Sequence, residues 1–156
     1  MYHRIVAGKV RQAFAEIGAG NYEAMIAGMA PRFTYRFYGE HALSGERHTA
    51  EALRRWWQRS FRLMHDPTFE VQDVVVSGWP WRTTIATMVS VRAQVAGDRP
   101  YQNVVMQFMT MKWGKITSVR TLEDTVVLQR ALDAAAAAGT TEAHAAPITD
   151  APAAVA

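Results

Sequence analysis

The order of sequence patterns along the chain predicts an α+β fold. Two helical stretches, one strand and a third helix fill the first half; four strand-like runs follow in succession, and a last helix closes them. Helices and strands segregated in this way do not build the alternating units of a parallel α/β sheet. Length supports a single core, since 156 residues, 49% of them apolar, suffice for one domain and are short for two.

Each element has its own signal. Val6, Val10, Ala13, Phe14 and Ile17 recur at helical spacing, and the helix stops at "GAGN", where Gly18 and Gly20 can terminate it. Asn21 is placed to cap a second, shorter helix that must end near Pro31. "RFTYRFYG" carries aromatic residues at period two, as a strand does, and "GEHALSGERH" reads as loop. Thr49 is placed to cap a third helix. Leu53, Trp56, Trp57, Ser60, Phe61 and Met64 share one face of it, and Arg55, Arg59 and Arg62 share a solvated one.

The strands "TFEVQDVVVS", "RTTIATMVSVRAQV", "YQNVVMQFMTM" and "ITSVRTL" are separated by "GWPW", "AGDRP" and "KWGK", each rich in turn residues. A helix follows from Thr125 to about Leu132. The last stretch, "AAAAAGTTEAHAAPITDAPAAVA", has no large apolar residue before Ile148. It predicts a domain over 1–133 and a frayed, disordered tail over 134–156.

Composition and motifs exclude several classes. The chain has no cysteine, so thiolate chemistry, disulfides and cysteine-rich zinc sites are absent. His3, His41, His48 and His65 lie in no zinc spacing, and neither a nucleophile-elbow serine motif nor a phosphate-binding glycine loop occurs. No metal and no cofactor are therefore expected. Among the histidines, His41 lies where a loop after the first strand could close a pocket mouth. A net charge of +3 leaves no strongly basic segment, and the arginines of "EALRRWWQRSFRLMH" fall away from its apolar face, so no nucleic-acid partner is expected. "MYHRIVAGKVRQAFAEIG" lacks the core of a signal peptide, and no run approaches roughly 18 apolar residues, so a cytoplasmic protein without a membrane partner is expected. Trp79 and Trp81, flanking Pro80, read as packing or interface residues.

The segments "RFYGEHALSG", "WRTTIATMVSV" and "WGKITSVRTLEDT", with the helix after them, resemble SnoaL-like members of the nuclear transport factor 2-like superfamily, relatives of ketosteroid isomerase and limonene-epoxide hydrolase. The resemblance covers residues 2 to about 133. It implies a cone-shaped, strongly curved mixed sheet wrapped against the N-terminal helices, with a concave apolar pocket, and a homodimer through the outer sheet face. The hydrolase's catalytic aspartate, arginine and aspartate would fall on Ser90, Met88 and Thr121, and its tyrosine and asparagine on Thr34 and Arg36. None of the five is present. The isomerase's aspartate near the end of the first strand also has no counterpart, since "TYRFYG" holds no acid.

In the register implied by the resemblance, a different polar set faces the pocket: Arg36, Arg92, Asn103, Gln107 and Glu123, among Trp57, Phe61, Met64, Met88, Val105 and Leu128. Ile85, Val89, Val91, Val104, Met106 and Phe108 then lie on the outer face, at the dimer interface. Burial alone would make that more apolar set the core. Of the adjacent acids in "TSVRTLEDT", Asp124 is placed to cap the last helix. Glu123, sharing a face with Thr121 and Val119, is the candidate catalytic carboxylate and general base.

Two functions fit: an isomerase, cyclase or dehydratase acting on an apolar or polycyclic metabolite by proton transfer, or a non-catalytic ligand-binding or protein-interaction module. A carboxylate in a dry cavity without a nearby arginine favours the first; a closed arginine–glutamate pair favours the second.

Overall fold

In the computed structural model, which describes residues 1–151, the chain begins with α1 (Tyr2–Gly18) and the short α2 (Tyr22–Ala27). Strand β1 (Met29–Phe37) follows, then β2 (Gly45–Arg47) and α3 (Ala50–Leu63). Three long strands, β3 (His65–Trp79), β4 (Arg82–Val95) and β5 (Arg99–Lys112), precede β6 (Lys115–Glu123) and α4 (Thr125–Ala137). The α+β arrangement is as the sequence predicts. Thr49 caps α3, its hydroxyl accepting from the Ala52 N–H at 3.2 Å. Asn21 stands before α2 but directs its amide to Glu16 at 2.9 Å, leaving the helix without a side-chain cap.

The six strands form one mixed sheet in the order β2-β1-β6-β5-β4-β3, antiparallel except for the β1–β6 pair. This corrects the shape implied by the resemblance. The sheet is neither strongly curved nor closed into a cone: β2 and β3 are its two edges, at opposite ends of the order, and do not pair. β2 is only three residues long and is held on one side by β1, so it ends the sheet instead of carrying it round.

The sidedness of the sheet needs a second correction. Val89 pairs with Val105, Thr87 with Gln107 and Val91 with Asn103, and residues directly opposite in a ladder share a face. The odd-numbered residues of β4 and β5 therefore point together beneath the helices. Ile85 is 1% exposed and Val89 0%, so both belong to the core and not to an outer interface. Only Val104, Met106 and Phe108 of that expected set lie on the open face, where they are exposed. A one-residue slip in assigned phase reverses every side chain of a strand. The slip displaced Met88 and Arg92 on β4 and Arg36 on β1.

The C-terminal segment also differs from the expected tail. α4 continues to Ala137, and a 3₁₀ turn at Thr141–His144 buries Ala143. Glu142 accepts from the guanidinium groups of Arg59, at 3.2 Å, and Arg62, at 2.8 and 2.7 Å. The arginine face of α3, expected to be solvated, is thus the seat of this segment. Ile148 is buried, and its carbonyl accepts from Arg47 Nη1 at 2.9 Å. Asp150 accepts from the backbone N–H groups of His48 and Thr49. Polar anchoring, with Ala143 and Ile148 buried, holds a segment whose scarcity of large apolar residues suggests disorder. Residues 152–156, the remainder of the expected tail, lie outside the described residues.

Candidate functional site

Between the helices and the sheet lie two adjoining cavities. The larger, of about 380 Å³, lies between α1, α2 and the inner face of the sheet. Its walls are almost wholly apolar and include Val6, Val10, Ile17, Met29, Ile85 and Met109. The smaller, of about 60 Å³, is lined by residues of α3, among them Trp56, Phe61 and Met64, and by Phe37, Phe69, Val91, Val105 and Glu123. Phe14, Tyr35, Trp57 and Gln107 line both, so the two spaces are divided only by side chains.

Glu123 is positioned by the change from strand to helix. It is the last residue of β6, and Asp124 immediately caps α4, its Oδ1 accepting from the N–H groups of Val126 at 3.0 Å and Val127 at 3.2 Å. The neighbouring acids therefore separate: Asp124 completes a helix, and Glu123, half-buried as a residue, faces the smaller cavity. There its Oε2 accepts from the Tyr101 hydroxyl at 2.6 Å and the Asn103 amide at 3.1 Å. That amide also reaches the Tyr101 hydroxyl at 2.9 Å and the Asp124 carbonyl at 3.0 Å. Oε1 accepts no hydrogen bond among the described residues. Burial pushes Glu123 up to about 7, against the two hydrogen bonds, which favour the ionised form. Burial, followed by the adjacent carboxylate, also pushes the Tyr101 phenol up, keeping it protonated as a donor.

The expected arginines are elsewhere. Arg36 lies exposed on the opposite face, its Nη1 3.6 Å from Glu46. Arg92 is exposed on that face too, and Met88 lines a shallow depression there with Met106 and Phe108. None of the three reaches the Glu123 cavity. Of the remaining expected residues, Trp57, Phe61, Met64, Val105 and Gln107 line the smaller cavity with Glu123. Asn103 bonds the carboxylate, and Leu128 is fully buried in the core and is not among the residues lining either cavity.

Two residues absent from the expected set belong to the site. Tyr101 shares the inner parity of Asn103 and Val105, which would have revealed it. Tyr35 lies on the aromatic alternation of β1 with Phe33 and Phe37. Its phenol is pushed up to about 12 by burial, and the Thr121 and Gln107 side chains beside it act in the other direction. Gln107 itself donates to Thr121 Oγ1 at 3.0 Å. The Trp57 indole N–H is buried without an acceptor among the described residues, a donor left over on a side chain common to both cavities.

His41, expected at a pocket mouth, is structural. Its Nδ1 accepts from the Leu43 N–H, its Nε2 faces the Tyr38 carbonyl, and its ring packs edge-on against Phe37 at 5.0 Å. Among the described residues no group of three histidine, aspartate or glutamate side chains could hold a metal ion. No helix there is long and apolar enough to cross a membrane.

An open α+β sheet with an apolar pocket beneath its helices defines the class, and comparison of the sequence gives the family. The chain belongs to the SnoaL-like family of the nuclear transport factor 2-like superfamily, whose domain model matches residues 10–119. Among solved structures it is similar to PrhC from Penicillium brasilianum, at 15% identity over 92% of this chain and 94% of the other, with a TM-score of 0.76. It is also similar to IdmH, a candidate polyketide cyclase from Streptomyces antibioticus, at 19% identity over 81% and 97% of the two chains and a TM-score of 0.66. A candidate SnoaL-like polyketide cyclase from Jannaschia sp. CCS1 is similar at 16% identity over 80% and 89%, with a TM-score of 0.66. These likenesses establish the fold. A search of curated proteins found no match.

Proposed function

We propose that the protein is an enzyme that removes a proton from carbon next to a carbonyl group of an apolar, cyclic or cyclising metabolite, with Glu123 as the base. The observation that carries this reading is a carboxyl group with its proton affinity near neutrality, in an apolar cavity, with no arginine or lysine paired to it among the described residues. A base poised near neutral pH combines a useful ionised fraction with a useful driving force. The sequence offered a closed arginine–glutamate pair as the mark of a non-catalytic module, and Arg36 and Arg92 both face away.

The division of labour follows from the side chains. Tyr101 and Asn103 hold Oε2 and leave Oε1 to take the proton. As the carbon–hydrogen bond breaks, its electron pair moves into an enolate, whose oxygen needs a neutral donor. The unpaired Trp57 N–H and the protonated Tyr35 phenol are the candidates on the wall common to both cavities. Returning the proton to another carbon gives isomerisation. Attack of the enolate on a second carbonyl of the same molecule gives cyclisation, the chemistry for which two of the similar structures are candidates. The larger cavity would hold the remainder of the ligand, its volume being in the range of small-molecule sites.

The test is exchange of the acidic α-protons of β-tetralone, an apolar bicyclic ketone, for solvent deuterium, followed by proton NMR. The protein should accelerate exchange and Glu123→Gln should not. Equal exchange by both would exclude Glu123 as the base.

The reading includes a homodimer through the open sheet face. Its support is the exposed group Val75, Met106, Phe108 and Leu122, an apolar patch of the kind that marks an interface. Sedimentation velocity should give a dimer, and Phe108→Lys a monomer with unchanged circular dichroism. A monomeric parent protein would contradict it.

A further inference from the structure

Three tryptophans stand in solvent at the end of β6 far from Glu123. Trp79 is 64% exposed, Trp81 55% and Trp113 73%. They come from two hairpin tips, β3–β4 and β5–β6, tied together by the Trp113 N–H donating to the Pro80 carbonyl at 2.6 Å. Trp79 and Trp81 stack at 5.9 Å with their planes 8° apart, and Trp113 tilts against Trp81 at 6.2 Å. Trp113 holds a left-handed φ of 49°, a conformation costly for a bulky residue and ordinarily left to glycine or asparagine. The tip is thus a built aromatic cluster that contributes nothing to the core.

The charge around it has one sign. Residues 1–15, 74–97 and 99–122 contain no aspartate or glutamate. Arg82 pairs with Trp79 in the ladder, and Lys112 and Lys115 flank the Trp113 turn. His3 Nε2 meets the Gly78 carbonyl at 2.7 Å, which brings the start of α1, with Arg4 and Lys9, to the same end. The larger cavity reaches the surface here, because Lys9, Pro80, Gly114 and the exposed Ile5 are among its lining.

We propose that this tip docks on an anionic lipid surface and brings the mouth of the apolar cavity against it, so that a lipophilic ligand passes between bilayer and cavity without crossing water. Indoles suit the boundary between headgroups and acyl chains, and lysine and arginine beside them suit lipid phosphates. Charge selects among possible occupants. A second copy would bring the same unrelieved positive charge against this one. A nucleic-acid strand stacks its bases on open aromatic faces, and Trp79 and Trp81 each turn one face to the other.

The proposal rests on the cavity as a site for an apolar ligand and not on Glu123 as a base. The test is co-sedimentation of the full chain with vesicles of phosphatidylcholine alone and of equal parts phosphatidylcholine and phosphatidylglycerol. Tryptophan quenching by brominated lipid is read in parallel. Binding should need the anionic lipid, weaken with salt and show quenching. It should fall by about tenfold or more both in Trp79→Ala/Trp81→Ala/Trp113→Ala and in Lys112→Glu/Lys115→Glu. Because these side chains are exposed, both variants should keep the parental melting curve and β-tetralone exchange without vesicles. Absence of vesicle binding, equal binding to neutral vesicles, or undiminished binding by either variant would overturn the proposal. So would self-association or oligonucleotide binding that the tryptophan variant abolishes while vesicle binding persists.

Discussion

The two ends of the space beneath the helices differ in kind. Around Val6, Ile17, Ile85 and Met109 the walls are apolar and the volume is about 380 Å³. Around Glu123 it is about 60 Å³, and a carboxyl, a phenol and an amide share a connected hydrogen-bond network. The first can hold a ligand but offers little chemistry; the second offers chemistry but cannot enclose a large ligand. Under the proposed function, affinity belongs to the large end and proton transfer to the small one. Substitutions at the two ends should therefore affect different observables.

Replacing Glu123 by glutamine should have the largest effect, a loss of about 10²–10⁴-fold in β-tetralone exchange with the fold retained. It should also alter the dependence of stability on pH. With its folded value raised to about 7 over an ordinary carboxylate near 4.5, Glu123 favours the folded state while protonated. That contribution is intact below about 4.5 and is lost as pH rises through about 7, amounting to at most about 3 kcal/mol. Urea midpoints measured on either side of this window should fall more with rising pH in the parent protein than in the glutamine variant.

Ile85→Ala tests the other end. It removes a fully buried side chain from the wall of the larger cavity and should cost about 2–4 kcal/mol, read by urea denaturation. The Glu123 titration should be unchanged. If it moved, the two ends would not be separable.

Truncation after Ala138 should come next, at about 1–3 kcal/mol in the same assay. Arg47 is fully buried, pushed down to about 10 chiefly by burial, and held by the carbonyls of Ser44, Gly45 and Ile148. Losing Ile148 leaves that guanidinium short of a partner, and losing Glu142 releases Arg59 and Arg62 on α3. Since α3 carries Trp56, Ser60 and Phe61 of the small cavity, amide exchange should rise there before it rises in α1.

Tyr101→Phe should have the smallest effect on stability, about 1 kcal/mol. The Tyr101 hydroxyl favours ionised Glu123, so its loss should raise the carboxyl's proton affinity and move the rising limb of the pH–rate profile to higher pH.

Sequence patterns specified much of this. The aromatic alternation of β1, the Thr49 cap and the "LEDT" transition mark the element types, with Asp124 as the cap of α4 and Glu123 on the inner side of β6. The sides of β1 and β4 depart from the family register, and on β4 the apolar run Ile85, Val89, Val91 already points the other way. A tightly buried strand reads as such from its own residues, whereas a carried-over register fails completely with a single slip. β2 could not be read, because three residues, Gly45–Arg47, have no periodicity of their own and exist through pairing with β1. The C-terminal segment is illegible in the sequence for a related reason. Its anchors are a few polar atoms on Glu142, Ile148 and Asp150, meeting partners about a hundred residues earlier for the last two, and composition cannot display such matches.

The proposed function stands or falls with Glu123 as a base poised near neutral pH by burial without a cationic partner. Its side-chain carboxyl carbon, followed by ¹³C NMR in the full chain with other glutamates assigned by substitution, measures this directly. A midpoint of about 7 is expected, rising further in Tyr101→Phe. A midpoint near that of a free glutamate, about 4.3, would contradict it.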